Sequence, residues 1–380
     1  MNSSNALPAK MFSVTIGVGC IGLAASAIGA IFDLPHALQS YLLAFVYWNG
    51  LSLGALGLLL LQYVTGGEWG RAIRRTVEAA SLNLPIMALF SIPVFAGISR
   101  IFVWAVHPSA RVNTDYLNAP FVIVRAIIYF AIWSVLSWRL RRLSLLRDNG
   151  SYSGNGCESV SGIGLVLYVL TVSFASIDWI MSLEPDWSSS IFGVLVMVGQ
   201  GLAAMAGCIA VLRLAPAGDS LTDDVRHDLG NLSFMFVLLW GYMALSQYLV
   251  VWSGNLPEEI PWYLHRHEGG WTFVAGALIL FHFALPFFLL LFRSVKRSKS
   301  RLYMVAVMIL VIHFVDCYWL IMPAFRPEGP APRWLDAAAM IGIGGIWIGM
   351  MTHWLNSAPL FVKESKTVEH GAAAHAGGSQ

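Results

Sequence analysis

The sequence predicts an all-α integral membrane protein that crosses a lipid bilayer about ten times. Three observations predict it. First, of 380 residues 57% are hydrophobic and only 12% charged, with a mean hydropathy of +0.67. Soluble globular chains carry about 25% charged residues, so the polar surface that water requires is missing. Second, apolar runs repeatedly persist for about 20 residues, the length that spans the hydrocarbon layer, where a buried strand would stop after about 4–8. Third, many of the 15 Trp and 12 Tyr gather near the ends of those runs, as in an interfacial aromatic belt.

The runs place helices near 11–32, 38–64, 76–98, 119–138, 160–182, 189–212, 230–253, 270–292, 302–324 and 335–356. With no water partner for backbone polar groups at that depth, an open-ended segment must be helical. Lys10 followed by the apolar stretch to Ala24 has features of a signal peptide. The run continues through Phe32, so a retained first helix is expected. Pro85 and Pro93 in span 3 and Pro286 in span 8 predict kinks. Pro185 ends span 5, and Ser188–Ser190 are expected to cap span 6. The longest connections, 139–159, 213–229 and 254–269, are too short for a folded domain, and the composition after Val362 is that of a disordered tail.

The formal charge of +2 excludes a strongly basic nucleic-acid binder. Four cysteines without a CxxC pair exclude a readable disulfide scaffold or four-cysteine iron–sulfur site. Cys20, Cys208 and Cys317 read as small core residues, and Cys157 as a loop residue. Of the 23 Lys and Arg, 17 fall in the tails and in the loops after spans 2, 4, 6 and 8. Arg100, Arg111, Arg266, Arg326 and Arg333 lie on the other side, and Arg125 lies within span 4. The positive-inside rule then puts both termini in the cytoplasm.

Ionisable residues at membrane depth are costly and face a bundle interior, a cavity or one another. Here they are Arg125, Asp178, His282, His313 and Asp316, with Glu78, Asp336 and His353 nearer helix ends. His313 and Asp316 are three apart and share a helix face. An imidazole beside a carboxylate can exchange protons near neutral pH, which suits quinol oxidation or a proton path. The competing reading is a buried ion pair in which Arg125 neutralises Asp178 or Asp316 and no proton moves. Tyr47, Asn49, Glu78, Asn83, Gln200 and Tyr242 could extend a path toward the cytoplasm, although each is individually more often a helix–helix hydrogen bond. His282 and His313 also form the available near-central pair for a quinone. Without a second pair at similar spacing they argue weakly for haem b, and no ligand spacing suggests a metal site.

The outer segments 183–188 and 254–270 are acidic, aromatic and proline-bearing. Glu184, Asp186, Trp187, Asn255, Glu258, Glu259, Trp262 and Tyr263 read there as candidates for docking a partner protein, against a merely well-packed loop.

At these segments the chain resembles a known family. SIDWIMSLEPDWSSSIFG (176–193), LSQYLVVWSGNLPEEIPWYLHRHEGGW (245–271) and HFALPFFLLLFRSVKR (282–297) resemble the NrfD/PsrC-like membrane subunits. The likeness is closest to the second such subunit of alternative complex III, the bacterial quinol:cytochrome c oxidoreductase, called quinone-binding. It covers nearly the whole chain. It implies two four-helix bundles (38–182 and 183–324), a flanking helix at each end (1–37 and 325–362) and a cytoplasmic tail (363–380). It also implies the bacterial inner membrane and a non-autonomous subunit of an oxidoreductase complex with no redox centre of its own. Partners implied are a second NrfD-like subunit, an iron–sulfur subunit, haem c subunits, small membrane subunits and a terminal oxidase. Haems c and iron–sulfur clusters belong to those partners, leaving quinone or menaquinone and structural lipids as the small molecules here.

These readings converge on a respiratory membrane subunit that supports quinol oxidation and conducts protons. Asp178 and Asp316 would be carriers, His313 and His282 relays, and Arg125 the tuning charge, with Glu78 further along the path. The alternatives are a direct quinone-binding subunit, a purely structural anchor and, least favoured, a stand-alone transporter.

Overall fold

The computed structural model describes residues 7–109, 112–152, 154–216, 218 and 221–360. The expected disordered tail at 363–380 and the loop residue Arg111 lie outside them. Ten helices are long and apolar enough to cross a bilayer, and among the described residues there is no strand. They are span 1 (Lys10–Phe32), 2 (Leu34–Thr65), 3 (Glu68–Ala96), 4 (Ala119–Asp148), 5 (Gly156–Leu183), 6 (Phe192–Leu214), 7 (Asp223–Gly254), 8 (Trp271–Leu291), 9 (Lys299–Ala324) and 10 (Trp334–Asn356).

Several helices outrun the apolar stretches that predict them. Span 4 continues through its basic end to Asp148 and span 7 begins at Asp223, so the connections expected at 139–159 and 213–229 are much shorter. Polar residues end an apolar run without ending a helix, because backbone bonding continues wherever caps and ion pairs supply partners. Asn118 caps span 4 through Phe121 N at 3.0 Å, with Pro120 in the first turn, and Thr222 caps span 7 through Val225 N at 3.3 Å. The expected serine cap of span 6 is not made: its N-cap is Ile191, with no side-chain bond.

The prolines break helices where their missing N–H dictates. Span 3 is three helical pieces, Glu68–Ser81, Leu84–Phe90 and Ile92–Ala96. Pro85 and Pro93 cannot donate four residues back, so breaks fall just ahead of each. In span 8, Pro286 frees the carbonyl of His282, and Ile279–Ala284 winds as a π-helix.

Spans 2 and 6 are the packing axis. The apolar window of span 2 is 89% buried, against 17% for span 1. Span 2 packs on spans 3, 5, 6, 9 and 10, and span 6 on spans 2, 5, 7 and 9. Spans 4 and 5 pack together, as do spans 7 and 8. Spans 1 and 10 lie side by side at backbone contact. A Cβ on Gly22 would stand 2.7 Å from Gly342 Cα, and one on Gly345 would stand 2.6 Å from Gly19 Cα. Small residues at that spacing let two membrane helices touch.

Three sequence expectations change in the fold. Cys20 is exposed on span 1 rather than in the core, and Cys157 is buried at the start of span 5 rather than in a loop. Tyr242 points away from the protein at 63% exposure, so it extends no internal path. Hydropathy reports depth in the membrane but not which helix face is turned inward.

Candidate functional site

Among the described residues, four clusters of buried ionisable side chains lie within or at the ends of the spans, and in three of them the acid is paired with arginine. Arg125 of span 4 grips Asp178 of span 5 with two teeth, Nε to Oδ2 at 3.0 Å and Nη2 to Oδ1 at 2.7 Å. Tyr129 donates to the same carboxylate at 3.1 Å, and the third guanidinium nitrogen donates to Tyr116 O at 2.9 Å. A fork-to-fork pair with its remaining positions filled holds two helices together.

Glu78 is fully buried at the opposite end of the first helices. It accepts from Arg75 at 2.7 Å and from Arg141 at 2.5 Å. Arg75 also pairs with Asp148, which accepts from Arg74 at 2.8 Å. Glu78 thus belongs to a separate ionic layer where spans 3 and 4 meet. Asp336 of span 10 makes the third pair, with Arg326 at 2.9 and 3.0 Å, and accepts from Ser40 at 2.5 Å and Arg333 N at 2.8 Å. Burial works against the Arg326 charge, but the hydrogen bonds and charge of Asp336 offset it and raise its pKa above the ordinary value.

The fourth cluster differs in kind. His313 and Asp316 share one face of span 9, and the π-helical turn of span 8 carries His282 to them. The two imidazole centroids are 5.9 Å apart, and the Trp240 ring stands 4.2 Å from His282. All three ionisable groups are buried. His313 Nδ1 is 3.7 Å from Asp316 Oδ2, too long for a hydrogen bond, and its Nε2 is 3.8 Å from Cys317 Sγ. Both nitrogens of His282, Nδ1 of His313 and Nε1 of Trp240 are buried without a protein partner. Gly199 of span 6 makes room: a Cβ there would lie 3.2 Å from His313 Cε1 and 3.6 Å from Asp316 Oδ2.

A cavity with room for about one water lies against His313, Asp316, Cys317 and Gln200. A second of similar size shares Val46, Ile180 and Gln200 and reaches Asn49 and Ser176. The side-chain oxygens of Gln200 and Asn49 are buried and unpaired. Polar, water-sized spaces lined by unsatisfied groups are where internal water binds. Asn83 and Tyr47, by contrast, make helix–helix bonds to Trp347 O at 2.9 Å and Leu310 O at 3.2 Å.

The outer segments are built around Arg266, a residue that sequence reasoning counted only as a loop charge. Its side chain is 1% exposed and donates to Glu184 at 2.6 Å and to the carbonyls of Trp262 and Leu320 at 2.9 Å. Burial lowers its pKa from the ordinary value despite Glu184 beside it, and burial pushes Tyr263 up to about 12. Trp187 and Trp262 stack at 4.5 Å and are buried, so these two docking candidates pack inside the cap. Glu184 is half-buried and tied to Arg266 and to His265 at 2.9 Å. Asp186, Asn255 and Glu258 are exposed, with Glu259 and Tyr263 at the edge of that surface.

Of the predicted path residues, His282, His313 and Asp316 come together, while Arg125 with Asp178 and Glu78 with its arginines stand apart. Sequence reasoning missed Trp240, Cys317, Gly199, Arg75 and Arg141. The arginines carried a signal, since Arg75 falls three residues before Glu78 on one helix face. Among the described residues, no group of three or more His, Cys, Asp or Glu could hold a metal ion. No protein-family model matches the chain, and no curated protein proves similar to it. Fold and site together define a class: this is a polytopic all-α membrane protein.

Proposed function

We propose that this chain is a membrane subunit of a bacterial respiratory quinol:cytochrome c oxidoreductase of the alternative complex III type, which supports quinol oxidation by handling protons. The observation that carries this reading is the His282–His313–Asp316 cluster, buried and, unlike the other buried acids, with no arginine paired to its carboxylate. An imidazole pair beside a carboxylate supplies groups able to accept and release a proton. The water-sized cavity at His313 favours protons over a quinone ring at this point. Resemblance in the 176–193, 245–271 and 282–297 segments supports the assembly, the inner-membrane location and the partners that carry the redox centres, and the Lys and Arg bias supports cytoplasmic termini.

A specific observation narrows the path. Asp178 is held by Arg125, and Glu78 by Arg75 and Arg141, which suits packing rather than proton traffic. The structural-anchor reading therefore applies to those two clusters, and the carrier role to Asp316 with its two histidines. The test is Asp316→Asn in the assembled complex. We expect quinol-driven cytochrome reduction or its proton release to fall about a hundredfold or more, the low end of the range for losing a positioned acid–base group. Unchanged turnover and unchanged proton release with assembly intact would sink the carrier role.

A further inference from the structure

An apolar crevice of about 210 Å³ opens among spans 1, 2, 3, 6, 9 and 10, on the half of the molecule where span 1 begins. It exceeds the roughly 150 Å³ that holds a benzene in an engineered protein cavity. We propose that this crevice is a binding site for one acyl chain of an anionic phospholipid. This rests on four features that are independent of the reading above.

The first is length. Crevice residues run from Ala204 to Leu214 along span 6, which is about 15 Å at 1.5 Å per residue. That is about half the 30 Å hydrocarbon layer, or one leaflet. The second is the wall. Ala55, Ala80, Ala204, Gly207 and Ala210 hollow it out, and a Cβ on Gly207 would meet no atom within 4 Å. At the deep end the Tyr47 hydroxyl is already bonded to Leu310 O, so what enters there is hydrocarbon.

The third is one unpaired polar atom. Thr76 lines the crevice, is 1% exposed, and its hydroxyl has no partner. It sits next in sequence to Arg75, which belongs to the ionic layer around Glu78. An ester oxygen there would accept from Thr76 Oγ1. The fourth is charge at the mouth. Lys10 is exposed and next in sequence to the wall residue Met11, while Arg213, next to Leu214, lines a neighbouring hollow on the same end of span 6. Basic groups beside an inter-helix crevice select anionic headgroups. Leu7 lines that end, held to Asn356 by bonds of 3.0 and 3.1 Å.

The test is native mass spectrometry of the full chain in mild detergent, titrated with phosphatidylglycerol or phosphatidylcholine. We expect one retained phosphatidylglycerol, held at least about tenfold more tightly than phosphatidylcholine. Gly207→Phe and, separately, Ala210→Phe should each remove it. Gly162→Phe should not, since Gly162 is exposed on span 5 with nothing within 4 Å of its Cβ. Equal retention in the crevice variants and Gly162→Phe would overturn the site. So would equal retention of the two lipids, or a retained quinone in place of phospholipid.

Discussion

At the scale of single residues, buried charge is the decisive quantity. Glu78 is fully buried and answers two arginines, while its second oxygen has no partner. Removing one member of such a cluster leaves uncompensated charge, which costs about 3–5 kcal/mol. Glu78→Gln should therefore lower thermal stability measurably in detergent, read by the unfolding midpoint, even where quinol-linked activity per folded molecule is unchanged. Asp316→Asn is expected to do the reverse, keeping stability while losing turnover, because no arginine is left unpaired by it and His313 Nδ1 stands 3.7 Å away, beyond hydrogen-bond length. The two substitutions separate charge that holds the fold from charge that handles protons. The sequence presents Glu78, Asp178 and Asp316 alike, as acids in apolar surroundings. Arg75, three residues before Glu78, is a local signal, but the pairings of Arg141 with Glu78 and of Arg125 with Asp178 join residues far apart in sequence, and no local pattern encodes those.

At the scale of elements, proline and glycine set the geometry. The kinks at Pro85, Pro93 and Pro286 follow from chemistry local to each proline and were legible in the sequence. That the Pro286 distortion is a π-helical turn carrying His282 toward His313 was not, since the turn is chosen by packing against spans 7 and 9. The contact of spans 1 and 10 is equally specific. Gly342→Val would drive a side chain into the backbone of span 1, and overpacking of this kind costs about 1–3 kcal/mol. The expected outcome is a lower unfolding midpoint. Gly17→Val, at a position with no atom within 4 Å of the added Cβ, should leave the midpoint unchanged.

At the scale of the whole molecule, ten crossings place the two faces of the protein on opposite sides of the bilayer. In the proposed topology the side bearing Arg139, Arg141 and Arg142 faces the cytoplasm, as the charge bias predicts. Cysteine introduced at Asn255, which is exposed with a left-handed backbone, should react with a membrane-impermeant maleimide added to spheroplasts. Cysteine at Arg142 should react only after the membrane is opened. Labelling in the opposite order would reverse the proposed topology and put the acyl-chain crevice in the other leaflet. The outer surface left for a partner is smaller than the sequence suggests, because Trp187 and Trp262 are consumed in the stack around Arg266. Asp186, Asn255 and Glu258 remain exposed.

The sequence by itself determined the fold class, the number of crossings and the charge bias between faces. These depend on composition summed over about 20 residues, a sum that neighbouring helices do not alter. It also named Arg125, Asp178, His282, His313 and Asp316 at depth, because an apolar background makes each conspicuous, but not the buried Arg75 and Arg141. Only the tertiary structure decided which of those residues are neutralised. It alone joined His282 to His313 and Asp316, turned Cys20 and Tyr242 outward, and opened the crevice beside Gly207. The physical reason is that pairing and burial are set by helix rotation and close approach, which bring residues hundreds of positions apart within a few ångströms.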